Sequence, residues 1–142
     1  MIAVVAALAF GFWRALTDGR FRGTHRVRDA APVDEPTPAT VLTGTQWESQ
    51  LGDRATLLQF SSAFCAPCRA TRRILDDVAG KVPGVAHIEV DAEHHLEMVR
   101  RLGILRTPTT LILDPAGHEI ARATGAPTKR QVLAAVGVDV AE

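Results

Sequence analysis

The feature that most constrains this chain is a pair of cysteines, Cys65 and Cys68, the only two in its 142 residues. They follow a compact apolar run, "ATLLQFSS" (55–62), which has the length and composition of a buried strand. They also open a stretch (65–79) in which apolar residues recur at helical spacing among arginines. A strand that leads through a short turn into Cys-x-x-Cys predicts a sheet-and-helix fold with the first cysteine at a helix N-terminus.

The position of Cys65 at the start of a helix favours its thiolate form. Unpaired backbone N–H groups and the positive end of the helix dipole lie there, and both stabilise a negative charge. Because the thiolate is the attacking form of a cysteine, Cys65 is predicted to be a nucleophile. Cys68 lies one turn later, where it could attack a mixed disulfide on Cys65 and release a reduced target. Pro67 suits the first turn, and Ser61 or Ser62 is expected to cap the helix.

Two other roles for the cysteine pair stay open but are less favoured. A structural zinc site needs four ligands, and only His94 and His95 could supply the remaining two. A purely structural disulfide would close a very small loop and constrain little of the unfolded chain. We therefore expect no metal site and favour a cysteine pair that cycles between thiol and disulfide.

The rest of the chain alternates between strand and helix patterns. We predict strands at 55–62, 85–91, 109–114 and 118–124, and helices at 65–79, 95–103 and 128–136. Shorter elements are predicted at Val41-Leu42, as an edge strand, and at 45–51, as a helix. The last two strands flank "PAG", a hairpin turn, and Thr128 is expected to cap the final helix. This order predicts an α/β fold in which a central mixed sheet carries helices on both faces.

The N-terminal segment, "MIAVVAALAFGFW" (1–13), has no charged residue and predicts an apolar helix. As a helix it would rise about 20 Å, short of the roughly 30 Å hydrocarbon core, and residues 14–16 would add about one turn. A membrane anchor over residues 1–16 is favoured because Trp13 and the arginines after it form an interfacial flank. A cleaved signal peptide and a buried core helix stay open as alternatives.

Residues 17–39 predict a tether between this anchor and a folded domain over residues 40–142. The segment is rich in arginine at first and then in proline ("AAPVDEPTPAT"), and it lacks apolar periodicity. Prolines at this density favour extended backbone without strand partners. The expected organisation is therefore an anchor, a linker and one folded domain.

The distribution of charge bears on partners and location. The chain is neutral overall, with 16 basic and 16 acidic residues, so its charge does not indicate a nucleic-acid partner. Five arginines nevertheless follow the apolar segment closely: Arg14, Arg20, Arg22, Arg26 and Arg28. Such a bias favours the arginine side in the cytoplasm. We therefore predict a single-pass protein of the cell membrane with its folded domain on the cytoplasmic face, and an extracytoplasmic domain is the alternative.

The folded part resembles the thioredoxin superfamily over residues 40–137. "FCAPC" is similar to that family's aromatic-Cys-x-Pro-Cys motif, with Ala66 where glycine is usual. "GILRTPTTLILDPAGHEI" resembles the stretch around the family's cis-proline, which identifies Pro108 as that residue. The resemblance implies that Thr107 pairs through its backbone with an extended substrate, and "ATGAP" around Gly125 resembles the family's substrate-groove loop. The substrate surface implied in this way comprises Phe64, Ala66, Pro67, Thr107, Pro108 and Gly125.

The chain departs from the family pattern around the cysteines. Gln59 stands where thioredoxins keep a buried aspartate, and His87 stands where they keep its lysine partner. A proton that leaves Cys68 therefore needs another route, through water or through His87 if this side chain points inward. Gln59 and His87 are thus the candidate proton relay. Ser61 replaces one tryptophan of the family and Phe64 another, which indicates a specialised relative.

The resemblance, together with the cysteine pattern, implies a thiol–disulfide oxidoreductase that reduces protein disulfides through Cys65 and Cys68 without a cofactor. The pair Ala66-Pro67 between the cysteines is closest to the family's reducing Gly-Pro type, which favours the reducing direction. Expected partners are protein thiol or disulfide substrates and an electron donor, with the chain acting as a monomer. Two alternatives stay open: a binding module of the same fold whose cysteines are not catalytic, and an extracytoplasmic oxidase or isomerase.

Overall fold

The computed structural model describes residues 2–23 and 40–138. In chain order the elements are α1 (Ile2–Thr17), β1 (Phe21–Gly23), a short 3-10 helix (Glu48–Gln50), β2 (Ala55–Ser61), α2 (Ala66–Lys81), β3 (Val85–Asp91), α3 (Leu96–Arg101), β4 (Thr109–Leu113), β5 (Glu119–Thr124) and α4 (Lys129–Ala135). The four strands and three helices predicted from residue 55 onward are confirmed, with ends that differ by at most two residues.

The strands form one five-stranded sheet in the order β1-β5-β4-β2-β3. Strands β2 and β3 are parallel, because α2 crosses over between them, and the other neighbours are antiparallel. Strand β2 is an inner strand, between β4 and β3, and all seven of its residues are buried. The predicted mixed sheet is therefore confirmed.

Alternate side chains of β2 supply two separate cores, one on each face of the sheet. Leu58 and Phe60 pack with Met98 of α3 on one face. Leu57 packs with Leu75 of α2 on the other face, where α4 also lies. Full burial of one such side chain stabilises the fold by about 1.5–3 kcal/mol. The expectation that helices cover both faces is confirmed.

The start of the last helix, α4, has the capping hydrogen bonds that the sequence predicts. The Thr128 hydroxyl accepts a hydrogen bond from the Gln131 backbone N–H, and the Gln131 side chain accepts one from the Thr128 N–H. This reciprocal capping box satisfies two backbone donors that a helix start otherwise leaves without partners. Thr128 is therefore the N-cap of α4, as predicted.

Two short elements before β2 were predicted wrongly. Val41-Leu42 is not an edge strand but part of a turn, in which the Thr43 and Thr45 N–H groups donate to the Thr40 and Leu42 carbonyls. The helix predicted over 45–51 is reduced to the 3-10 turn at Glu48–Gln50. In both cases local hydrogen bonds use backbone groups that a regular element would need: the Thr45 hydroxyl donates to the Leu42 carbonyl and accepts from the Trp47 N–H. Leu42 is nevertheless fully buried in the core.

The predicted N-terminal hydrophobic helix is present as α1. Within the described ranges, however, no helix has both the length and the apolar content that a membrane crossing requires, so the crossing predicted for residues 1–16 is not supported. The first residues of the predicted tether belong to the fold, because β1 pairs antiparallel with β5. Residues 24–39, with Arg26 and Arg28, lie outside the described residues, and the tether there stays a prediction.

The segment that joins α1 to β1 is fastened to the loop after β5. The Gly19 N–H donates to the Thr124 carbonyl at 2.7 Å, and Arg106 Nη2 donates to both carboxylate oxygens of Asp18 at 2.7 and 2.8 Å. Asp18 also covers Gly125, whose φ is +96° and whose added Cβ would lie 2.6 Å from the Asp18 carboxyl carbon. Only glycine fits this position, for both conformational and steric reasons.

A Gly125→Ala substitution should therefore destabilise the fold by about 1–3 kcal/mol, because alanine is strained at this φ and collides with Asp18. The free energy of unfolding by urea measures the effect. Gly80→Ala is the matched control: Gly80 lies in α2, and an added Cβ would meet no atom within 4 Å. There alanine should stabilise by about 0.5–1 kcal/mol. Equal stability of the two variants would contradict both the strained φ of Gly125 and its close contact with Asp18.

Candidate functional site

The site is built on the start of α2. Cys65 is the N-cap residue of this helix, and its Sγ accepts a hydrogen bond from the Cys68 backbone N–H at 3.2 Å. A disulfide joins Cys65 to Cys68, with 5.2 Å between their Cα atoms. The predicted position of Cys65 at a helix N-terminus is thus confirmed, and Pro67 lies in the first turn, as expected.

The two cysteines differ in access to solvent. Cys65 is half-buried, whereas Cys68 is only 3% exposed. The residues around Cys65 are open to a partner, since Ala66 and Pro67 are exposed and Phe64 is 99% exposed. Of the two sulfur atoms, the one that a protein substrate can approach is that of Cys65.

The expectation that Ser61 or Ser62 caps α2 is wrong. The hydroxyl of Ser61 accepts from Gln59 Nε2 at 2.9 Å, and the hydroxyl of Ser62 lies 3.0 Å from that of Thr107. The backbone places Cys65 at the cap position instead. Ser62 still serves the site, because it links the turn before Cys65 to Thr107, whereas the Ser61 hydroxyl is bonded within β2.

Three chain segments meet at this end of the sheet. The Thr107-Pro108 peptide bond is cis, as predicted. Thr107 contacts the turn before Cys65 through Ser62, and the Pro108 carbonyl accepts from the Gly125 N–H at 2.8 Å. The structure thus brings together the cysteine turn, the cis-proline and the glycine loop that the sequence singled out.

The glycine loop is not fully open to a partner. The carboxylate of Asp18 lies against Gly125 and is held there by Arg106, the residue just before Thr107. One side of the predicted substrate groove is therefore already lined by a residue from the N-terminal segment. Neither Asp18 nor Arg106 was among the predicted site residues, because only tertiary contacts bring them to Gly125.

A chain of polar side chains runs beneath the cysteines. Gln59 is fully buried, and its Nε2 donates to the Cys68 carbonyl and to Ser61, both at 2.9 Å. Because a carbonyl can only accept, this contact fixes which end of the amide is nitrogen. Gln59 Oε1 therefore faces His87 Nε2, at 3.1 Å.

His87 points inward, which the sequence left undecided. Its side chain is only 6% exposed, and its Nδ1 lies 2.5 Å from Asp76 Oδ1. Asp76 is itself 61% exposed on α2. The hydrogen-bonded series Cys68–Gln59–His87–Asp76 therefore leads from the buried cysteine to solvent. Asp76 was missed by the sequence analysis, since nothing in its spacing links it to a strand residue eleven positions later.

Ion pairs on the outer side of α2 hold the helix in place. Arg72 forms a salt bridge with Glu89 of β3, and this partner raises the pKa of the Arg72 guanidinium. Asp77 pairs with Lys129 of α4 and with Lys81, and hydrogen bonds from these two ammonium groups lower the pKa of the Asp77 carboxyl. The helix that carries both cysteines is thus tied to the sheet and to α4.

Comparison with known proteins identifies the family to which this architecture belongs. The family profile described as Thioredoxin matches residues 38–137. Among curated relatives, chloroplastic thioredoxin M3 of Oryza sativa subsp. japonica is 28% identical over 91 residues, which cover 62% of this chain and 52% of that protein. Thioredoxin H-type 1 of Nicotiana tabacum is 30% identical over 70 residues, which cover 49% of this chain and 55% of that protein. The chain thus spans about half the length of these relatives.

Solved structures agree with the fold. Thioredoxin f from spinach chloroplast, in its short form, superposes with a TM-score of 0.57 at 23% identity and covers 69% of this chain and 87% of its own. Chloroplastic thioredoxin z superposes with a TM-score of 0.56 at 24% identity and covers 64% and 81%. These likenesses establish the fold, and the family profile extends over most of the chain. The chain belongs to the thioredoxin family.

Proposed function

We propose that this protein is a thiol–disulfide oxidoreductase that reduces disulfides in protein substrates. The observation that carries the proposal is the unequal pair at the start of α2: an accessible Cys65 at the helix N-cap, bonded to a buried Cys68. An accessible first cysteine can meet a large substrate, and a buried second cysteine is reserved for the intramolecular step. Membership of the thioredoxin family supports the same chemistry.

The reaction begins with the reduced pair. The Cys65 thiolate attacks one sulfur of the substrate disulfide, so that a Cys65–substrate bond forms and the other substrate sulfur leaves as a thiolate. Cys68, after losing its proton, attacks Cys65 Sγ and displaces the second substrate thiolate. Two electrons have then passed to the substrate, its two sulfurs take up protons, and Cys65 and Cys68 are joined as a disulfide. An external thiol or other electron donor must reduce this disulfide before the next cycle.

Two features of α2 favour Cys65 as the attacking group. The Cys68 backbone N–H donates to Cys65 Sγ, and Cys65 lies at the positive end of the helix dipole as the N-cap residue. Both the hydrogen bond and the dipole stabilise a thiolate at Cys65. The Cys68 side chain does not lie at the N-cap, because it is one turn farther into the helix and is buried.

The surface around Cys65 provides the substrate groove in this proposal. An extended substrate segment would pair with the Thr107 backbone beside Pro108, while Phe64, Ala66 and Pro67 present an exposed apolar rim. Gly125 forms the opposite wall together with Asp18, which narrows that side. A substrate therefore reaches the groove from the side of the exposed cysteine turn.

The pre-reduced full chain should reduce insulin and precipitate its B chain. Cys65→Ser should abolish turnover to the uncatalysed background, because no second accessible thiol can begin the attack. Cys68→Ser should stop after the first step and accumulate a covalent complex between Cys65 and the substrate. Turbidity measures turnover, and non-reducing gel electrophoresis with mass spectrometry detects the complex.

Two outcomes would contradict this assignment. Insulin reduction that is absent from the wild-type chain, while its thiols titrate normally, would favour a binding module of the same fold. A midpoint potential near the oxidising value of about −120 mV, measured against glutathione, would reverse the direction of electron flow. The reducing direction itself rests on the Ala66-Pro67 pair between the cysteines.

We also propose that Gln59 and His87 take the place of the buried aspartate and lysine of other thioredoxins by holding Cys68 in position. Gln59 Nε2 donates to the Cys68 carbonyl, and the two ring nitrogens of His87 face oxygen acceptors, Gln59 Oε1 and Asp76 Oδ1. Neither ring nitrogen therefore offers a lone pair to a proton from Cys68. The proton that Cys68 gives up leaves through water, while this hydrogen-bonded series holds the Cys68 backbone.

His87→Gln should slow the attack of Cys68 on the mixed disulfide severalfold, because Gln59 loses the partner that holds its amide against the Cys68 carbonyl. The measurement is the decay rate of a preformed Cys65–peptide disulfide in the variant, followed as a function of pH. His94→Gln is the matched control, since His94 is an exposed histidine outside this series. An unchanged decay rate would show that His87 does not position Gln59.

The location of the protein stays a prediction. We propose attachment to the cell membrane with the folded domain on the cytoplasmic side, because the arginines at 14, 20, 22, 26 and 28 all follow the apolar segment. An electron donor on that side would then regenerate the reduced pair. The alternative is an extracytoplasmic domain that acts as an oxidase or isomerase.

Labelling of Cys65 tests the orientation. A membrane-impermeant maleimide, applied to intact cells after mild reduction, should not modify the chain until the cells are lysed. Lysed cells of the same culture provide the control for reactivity of the thiol. Labelling before lysis would place the domain outside.

A further inference from the structure

The surface of α1 is unusual for a helix attached to a folded domain. Every large apolar side chain on it is more than half exposed: Ile2, Val4, Val5, Leu8, Phe10, Phe12, Trp13 and Leu16. In the described part of the chain, neither hydrophobic core includes a residue of α1. An apolar surface of this extent marks a place where another apolar phase or partner binds.

The C-terminal end of α1 is held against the sheet. The Asp18 N–H donates to the Arg14 carbonyl, and the Gly19 N–H donates to the Thr124 carbonyl. The salt bridge between Asp18 and Arg106 and the pairing of β1 with β5 fasten the same point. The exposed helix and the neighbouring surface of the domain therefore keep a defined relation to each other.

A cleft of about 350 Å³ lies at this junction. Its lining includes Trp13 from the apolar helix and five arginines: Arg14, Arg20, Arg22, Arg106 and Arg122. We call these residues the arginine cleft. The aromatic ring and the guanidinium groups thus meet where the apolar surface ends and the charged surface begins.

Only two of the five arginines in the arginine cleft are paired with a carboxylate. Arg106 is paired with Asp18, and Arg122 is paired with Glu119. The remaining three, Arg14, Arg20 and Arg22, are exposed and form no salt bridge with any described residue. Guanidinium groups bind phosphate by paired N–H donors, so an excess of three arginines in one cleft suits a phosphate group.

We propose that the arginine cleft binds the phosphate of an anionic phospholipid while α1 inserts its apolar surface into the same bilayer. A lipid is favoured over a free phosphate because the cleft is continuous with the apolar helix through Trp13. Tryptophan and arginine are the residues that lie at the boundary between acyl chains and headgroups. The 16 residues of α1 rise about 24 Å, so they can enter the hydrocarbon layer from the arginine side. The three unpaired arginines take no part in the proposed thiol chemistry, whereas Arg106 of the cleft also holds Asp18 against the proposed groove.

Vesicle flotation of the full chain tests the proposal. The chain should bind vesicles that contain phosphatidylglycerol more tightly than vesicles of phosphatidylcholine alone. Replacing the three unpaired arginines, by Arg14→Gln, Arg20→Gln and Arg22→Gln together, should weaken binding to the anionic vesicles roughly 100-fold. The matched control removes three exposed arginines elsewhere, by Arg73→Gln, Arg100→Gln and Arg130→Gln, and should bind like the wild type.

Each other outcome would overturn the proposal. Equal binding to both vesicle types would mean that α1 binds lipid without help from the arginine cleft. Binding of inorganic phosphate with no preference for vesicles would assign the cleft to a free anion. Absence of vesicle binding together with a dimer in light scattering would assign α1 to a second copy of the chain. Insulin reduction by the triple variant should equal that of the wild type, so a failure here is distinguishable from a failure of the proposed function.

Discussion

The burial of β2 on both faces is the constraint on which the rest of the structure depends. All seven residues of this strand are buried, and it pairs with β3 on one side and β4 on the other. Its alternating side chains supply both hydrophobic cores, so its position and register are strongly determined. A turn of four residues (62–65) then leads from its end to α2. Cys65 is therefore placed at the rim of the sheet, while Cys68, one turn on, lies beneath the surface.

Strand β2 contains one large polar side chain, Gln59, and the hydrogen-bond partners of this side chain explain why it is tolerated there. A buried amide without hydrogen bonds would cost about 1–3 kcal/mol. Gln59 avoids that cost because the Cys68 carbonyl, Ser61 and His87 satisfy its amide. A neutral amide also needs no buried counter-charge, and the ionisable imidazole of His87 is instead paired with Asp76 near the surface. The polar series thus reaches the cysteines without burying an unpaired charge.

The N-terminal segment adds features that a sheet of four strands would lack. Strand β1 extends the sheet beyond β5, and Asp18 is carried onto the glycine loop and Arg106. The same few residues hold an apolar helix, line the arginine cleft and narrow one side of the proposed groove. A displacement of this segment would therefore shift the apolar helix, the arginine cleft and the wall of the groove together, because all three share one anchoring point at Asp18 and Gly19.

Much of the fold could be read from the sequence, because local patterns coincide with tertiary burial there. The apolar run at 55–62, the hairpin around "PAG" and the Thr128 cap all specify their structure within a few residues, and the two cysteines with Pro108 mark the site.

Tertiary structure decided the rest. The pattern at Val41-Leu42 predicts a strand, but these residues form a turn. Residues 21–23 were predicted to be part of a tether, but they form a strand that pairs with β5. Both differences arise because an edge strand depends on a neighbouring strand and not on its own sequence pattern. Asp76 and Asp18 likewise belong to the site only through tertiary contacts. Their partners, His87 and Arg106, lie 11 and 88 positions farther along the chain. Only the packing of α2 on β3 and of the N-terminal segment on β5 brings these side chains within hydrogen-bonding distance.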